Sequence, residues 1–168
     1  HVDRQMNHPK DFRNNFWFTS LARLIALCDY VIEKENPILH IESDVLVSQD
    51  FPLESFDSCD RSLAYTMVGH KSGVASILWL RDVNAAKNLR NYIYLQVQLD
   101  PMTTDMKVLG HFQWEFPDKV RILASFPIRQ FNLQPLVSAP IIQDMIYTEK
   151  LFGGYFDAAD AGQYLLGD

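Results

Sequence analysis

The sequence is poor in cysteine and in positive charge, and it has no long apolar run. Two cysteines stand in 168 residues, Cys28 and Cys59, and neither has metal-ligand spacing, so a disulfide framework is disfavoured and a reducing compartment is the weak expectation. The net charge of -6 is not the basic footprint that nucleic-acid proteins carry, so no nucleic-acid partner is expected. No stretch approaches the roughly 18 apolar residues of a membrane span, so no span is expected and a cytoplasmic location is the default. A glycine-rich phosphate loop, GxSxG, CxxC and internal repeats are all missing. The polar opening His1-Val2-Asp3-Arg4-Gln5 lacks both an initiator Met and a signal-peptide pattern. Together with the abrupt end Leu165-Leu166-Gly167-Asp168, it suggests an excerpt, incomplete at both ends.

What is present is ample core material. Apolar residues make up 48% of the chain, and the length suits one domain over 1–168. The stretch Ile38-Leu39-His40-Ile41-Glu42-Ser43-Asp44-Val45-Leu46-Val47 reads as a buried strand over 38–47 carrying an acidic pair. Alternation along a strand would put Glu42 and Asp44 on one face and Ser43 on the other. Two carboxylates on one face repel unless a proton or a cation lies between them, and a hard cation such as Mg²⁺ or Mn²⁺ prefers such oxygen ligands. The plainer alternative is a solvated acidic turn.

Upstream, residues 1–13 are polar and read as a loop. Trp17, Leu21, Leu24, Ile25, Cys28, Val31 and Ile32 recur at helical spacing, with Asn14 or Asn15 as cap and Asn36-Pro37 as stop. Cys28 lies on the apolar side of that helix, whereas Cys59 falls in a polar stretch. Arg23 within the helix is either a surface arginine or a phosphate or sugar contact. A helix feeding an apolar strand suggests a βαβ-type layered α/β fold with a parallel or mixed sheet, whose ligands collect at the carboxyl ends of strands.

Downstream, residues 53–62 read as irregular. Residues 62–68 and 74–80 read as strands, the second central, joined by the turn Gly69-His70-Lys71-Ser72-Gly73, either as a hairpin or as a close approach to a ligand. His70 and Lys71 are turn residues or ligand contacts. A helix capped by Asp82 runs to about Leu99, Asp100-Pro101 breaks it, and Thr103 or Thr104 caps another. Asp105 in its first turn is either a helix-dipole aspartate or a carboxylate aimed into a cleft. Residues 120–126 read as a strand, and residues 128–150 as loop with short helical turns. Gly153-Gly154 reads as a tight turn, and Asp157 as the cap of a short last helix.

Three of these stretches taken together resemble a glycosyltransferase of the GT-A type: the helix running into Glu42-Ser43-Asp44, similar to the DxD motif; the strand–turn–strand Ala64–Leu80; and Thr103-Thr104-Asp105-Met106, where many inverting members carry a catalytic carboxylate. The ending from Phe156 to Asp168 resembles a motif of certain members. The first acid is Glu rather than Asp, and the family's amino-terminal nucleotide-binding strands and third metal ligand are not recognisable, although Asp157 could serve as that ligand. The resemblance implies a GT-A-like α/β/α catalytic domain with a mixed, mainly parallel sheet. It implies a metal-dependent transfer of sugar from a nucleotide-diphosphate donor to a carbohydrate or other hydroxyl acceptor. Asp44 would bind Mn²⁺ or Mg²⁺, helped by Glu42 or with Glu42 on the ribose, and Ser43 and Arg23 would lie at the donor. Asp105 would be the base, with Asp157 second choice, and His70, Lys71 and Ser76 would line the sugar pocket. A sugar nucleotidyltransferase and a non-catalytic carbohydrate- or nucleotide-binding relative are the alternatives.

Overall fold

The computed structural model describes residues 16–69, 71–126 and 138–156. Expectations for residues 1–13, the Asn14 or Asn15 cap, the Trp17 side chain, His70, residues 127–137, Asp157 and the last helix fall outside them. Four strands form one sheet in the order β1-β3-β2-β4, with β1 Ile38–Ile41, β2 Leu63–Val68, β3 Ser72–Leu80 and β4 Val120–Ile122. β3 runs against its neighbours β1 and β2, and β4 lies parallel to β2. The sheet is therefore mixed, but with two antiparallel pairings and one parallel it is not the mainly parallel sheet expected, because β3 returns as a hairpin between β1 and β2. The apolar run of β3 is central, as expected, and β2 and β3 pair as a hairpin, one of the two readings of the turn between them.

Helix α1 (Phe16–Lys34) puts Leu21, Leu24, Cys28 and Val31 into the main core. Helix α2 (Val83–Leu99) starts at Asp82, whose side chain accepts the Ala85 N–H at 2.8 Å. Helix α3 (Asp105–Glu115) starts at Thr104, whose hydroxyl accepts the Lys107 N–H at 3.3 Å. Each cap satisfies a donor that the first helical turn leaves orphaned. Leu63, Tyr65, Leu78 and Leu80 of the sheet join this core, while Ala64, Ile77 and Trp79 belong to a second cluster with Phe56, Cys59, Phe152 and Phe156. Both cysteines are free and buried. Burial, with Asp29 beside it, pushes the Cys28 thiol up to about 12. No helix among the described residues is long and apolar enough to cross a membrane.

The strand expected over 120–126 ends at Ile122. Three further expectations need correction. The strand over 38–47 ends at Ile41 and is a half-exposed edge, not a buried strand. The reason lies in β3. Its pairing with β2 jumps from Tyr65↔Leu78 to Thr66↔Val74, so β3 bulges where β1 would need further partners. The last contact of the ladder is Glu42 N–H to the Ser76 carbonyl at 2.9 Å, and the Glu42 carbonyl then accepts the Val45 N–H at 3.1 Å to close a turn. Leu46 is 98% exposed. The second correction is α4, Ala139–Phe152, where loop was expected. Pro140 sits in its first turn, where the missing N–H costs nothing, and Gly153 closes it at φ 66°. The third is local: Leu53–Phe56 forms one 3-10 turn within the stretch expected to be irregular.

The hairpin is locked onto α3 by an absent side chain. A Cβ at Gly110 would lie 1.8 Å from the Lys71 carbonyl oxygen. Gly110→Ala should gain about 1 kcal/mol of helix propensity but force backbone apart, and overpacking alone costs about 1–3 kcal/mol. With the clash falling on backbone, the cost lies toward the upper end of that range, and the expected net is a loss of up to about 2 kcal/mol by urea unfolding. Gly154→Ala, which meets nothing within 4 Å, should stay within about 0.5 kcal/mol.

Candidate functional site

Strand alternation explains the centre of the site. Ile38, His40 and Glu42 share one parity, and Ile38 packs against the main core with α1. Glu42, the first residue past β1, meets Arg23 of α1 in an ion pair. The same guanidinium lies 3.7 Å from Asp105 Oδ2 at the start of α3. Arg23, Glu42 and Asp105, singled out from three separate stretches, are thus one group. Their side chains are 31%, 27% and 9% exposed.

Asp105 is the buried member. Burial raises its carboxyl above the usual carboxylate range. The Met106 N–H and Arg23 pull it down, and Glu42 pushes it up. Burial disfavours the charged form more than the helix start and one arginine favour it. Three buried polar atoms of this region have no hydrogen-bond partner: Asp105 Oδ1, Arg23 Nε and His40 Nε2. Burial lowers His40, Arg23 lowers it further, and Glu42 opposes both, so the imidazole is neutral at pH 7. Sequence reading missed His40, although the parity that pairs it with Glu42 was there to be read.

The acidic pair is not assembled as expected. Asp44 lies within the turn over residues 42–45, exposed, and has no hydrogen-bond or ion-pair partner among the described residues. Ser43 is exposed beside it. Strand parity cannot unite Glu42 and Asp44, because the strand has already ended. Among the described residues no three His, Cys, Asp or Glu side chains gather into a cation cage. Ser76 is buried on β3 and meets the site through its carbonyl on Glu42. Lys71 is exposed at the hairpin tip, and none of its hydrogen bonds or ion pairs among the described residues joins it to Arg23. His70 and Asp157 lie outside the described residues.

Chemically, the group offers one fixed cation, one surface carboxylate already matched to it, and one buried carboxylate with a free oxygen. A buried carboxylate with a raised pKa is a stronger base than a solvated one. Comparison of the chain with protein-family models, with curated proteins and with solved structures gives no match.

Proposed function

We propose that the chain is a GT-A-like, metal-dependent glycosyltransferase domain that moves a sugar from a nucleotide-diphosphate donor to an acceptor hydroxyl in the cytoplasm. The observation that carries this reading is Asp105, a buried carboxylate with an unpaired oxygen, held across Arg23 from the acid that follows β1. An acceptor hydroxyl must lose its proton as it attacks, and a carboxylate within hydrogen-bond reach can take it. Asp105 Oδ1 has no competing hydrogen-bond partner, so an arriving hydroxyl breaks no hydrogen bond there, although the atoms that cover this oxygen must first move aside.

Asp44 is the residue fitted to a divalent cation, because its carboxylate is exposed and uncommitted. Glu42 is matched by Arg23, which suits it to the ribose or to a water-mediated contact. One protein carboxylate is enough where the substrate's phosphate oxygens supply other ligands, as is usual for Mg²⁺. When bound, the cation would neutralise charge on the leaving diphosphate.

Product analysis tests the reading. The chain incubated with a panel of nucleotide sugars, Mn²⁺ and simple glycoside acceptors should release free nucleoside diphosphate. Pyrophosphate release from a nucleoside triphosphate and a sugar phosphate would replace the proposal by a nucleotidyltransferase. Binding without turnover of any donor would replace it by a non-catalytic relative.

A further inference from the structure

β1 is the outer strand of the sheet, with β3 on one side and, among the described residues, no strand on the other. The bond from the Glu42 N–H to the Ser76 carbonyl fixes which way its backbone groups turn. Glu42 and Ser76 continue the register that sets Ile38 opposite Leu80 and His40 opposite Leu78. In an antiparallel ladder every second residue bonds to the neighbour, so Ile38, His40 and Glu42 bond toward β3. Leu39 and Ile41 turn their N–H and C=O outward. Such an edge is a template for another strand, and it is commonly blunted by lysine, proline or a bulge. Ile38-Leu39-His40-Ile41 has no lysine and no proline, and its own register is unbroken.

Beside this edge lies a groove of about 670 Å³ whose apolar lining includes Leu39, Ile41, Leu53 and Trp79. Leu39 stands opposite Trp79 in the ladder, so both side chains share one face, and Leu53 across the groove is 55% exposed. Glu54 and Asp57, both exposed, also line it. Among the described residues neither has an ion-pair partner. From Glu35 to Asp60 the chain carries acidic residues throughout and no Lys or Arg. The groove therefore combines open backbone groups, an apolar floor and a charge of one sign. Two copies of the chain joined edge to edge would set this acidic stretch against itself, and like charges facing each other weaken a pairing. A basic partner meets no such penalty.

We propose that the outer edge of β1 and the groove beside it dock an extended segment of a partner protein, one with apolar residues at alternate positions flanked by lysine or arginine. The segment adds a strand to β1 through the backbone groups of Leu39 and Ile41, the mode known as β-augmentation. Its apolar side chains share one face and cover Leu39, Ile41 and Trp79, while the flanking cations meet Glu54 and Asp57. The proposal stands apart from the transferase reading: Leu39 and Ile41 face away from the side of β1 that carries His40, and Arg23, Glu42 and Asp105 do not line the groove.

The test uses the whole 168-residue chain labelled with ¹⁵N. The probe is the capped peptide Lys-Thr-Val-Thr-Val-Thr-Lys, which puts both valines and both lysines on one face of a strand. In the chain alone, the Leu39 and Ile41 amides should exchange with solvent faster than those of His40 and Glu42. The peptide should slow exchange at Leu39 and Ile41 and shift their resonances. The same peptide with glutamate in place of lysine, or with proline in place of the central threonine, should do neither. Glu54→Gln combined with Asp57→Asn should weaken binding about two- to thirtyfold, the weight of two exposed ion pairs, and leave urea unfolding unchanged. Protection of Leu39 and Ile41 in the chain alone at every concentration would mean that the chain covers its own edge. Protection that is lost on dilution would mean that a second copy covers it. Either result overturns the proposal. So does equal binding of the glutamate or the proline peptide, or an unmoved spectrum with the lysine peptide up to about 1 mM, the weak end of specific affinity.

Discussion

Asp105→Asn is expected to cut sugar transfer by about 10²–10⁴-fold, the usual weight of a general base, while leaving nucleoside-diphosphate binding intact. The same substitution should not cost stability at neutral pH. Burial, the largest influence on Asp105, holds its folded pKa above its ordinary value of 3.8. The folded chain therefore binds this proton more tightly than the unfolded chain, and stability falls as pH rises from the unfolded value through the folded one. Asparagine is never charged, so it escapes that loss. Asp105→Asn should match or exceed the parent in urea unfolding at pH 7, and the difference should shrink as pH drops below the unfolded value. Lost activity with retained or improved stability marks a group kept for function at the expense of the fold. Near-normal turnover would remove Asp105 from the mechanism. A variant much less stable than the parent at pH 7 would show that Arg23 and the helix start more than offset burial.

The largest expected stability effect lies far along the chain from this site. Arg121 of β4 is 8% exposed. It pairs with Asp144 of α4 and with Asp60, the latter through a fork at 3.0 and 2.5 Å. Asp144 also accepts the Ile122 N–H at 3.2 Å, and the guanidinium lies 4.5 Å from the Tyr147 ring centre. β4 is a three-residue edge strand, and this clasp ties it to α4. Breaking one side of a buried pair costs about 3–5 kcal/mol, because the remaining charge is left without its partner. Asp60 still holds Arg121 when Asp144 is gone, so Asp144→Ala should fall at the low end, near 3 kcal/mol. The Asp60 side chain is 50% exposed, and exposed pairs are worth about 1 kcal/mol or less. Asp60→Ala should therefore cost far less than Asp144→Ala. Equal costs by urea unfolding would mean that the Asp144 contacts add little beyond a surface pair.

Much of the scaffold was legible because the local signals were strong and agreed. Asp82 announced α2 as its cap, and Thr103 or Thr104 announced α3; Asp82 and Thr104 accept the expected backbone N–H. The unbroken apolar run of β3 announced a central strand. Legibility failed where a neighbour decided the outcome. Val45, Leu46 and Val47 look like strand residues, but the bulge in β3 leaves them nothing to pair with. Pro140 looks like a breaker, yet it stands where a helix tolerates proline. Cys59 sits among polar residues and is nevertheless 1% exposed, because it packs beneath the Phe56 cluster.

The site divides the same way. Residue chemistry and spacing were enough to single out Arg23, Glu42 and Asp105 one by one. Their convergence on one guanidinium depends on how α1 and α3 pack against the end of β1, which no local pattern encodes. The acidic pair shows the converse: its spacing suggested one shared face, but parity holds only while the strand lasts.

Calorimetric titration of the chain with a panel of nucleoside diphosphates, with and without Mn²⁺, reaches the central claim most directly. The expected result is that one nucleotide binds only with the metal, and that Asp44→Ala abolishes this binding while Ser43→Ala leaves it. Binding of no nucleotide by the folded chain, or unchanged Mn²⁺-dependent affinity in Asp44→Ala, would contradict it and leave Glu42-Ser43-Asp44 an ordinary turn at the end of an edge strand.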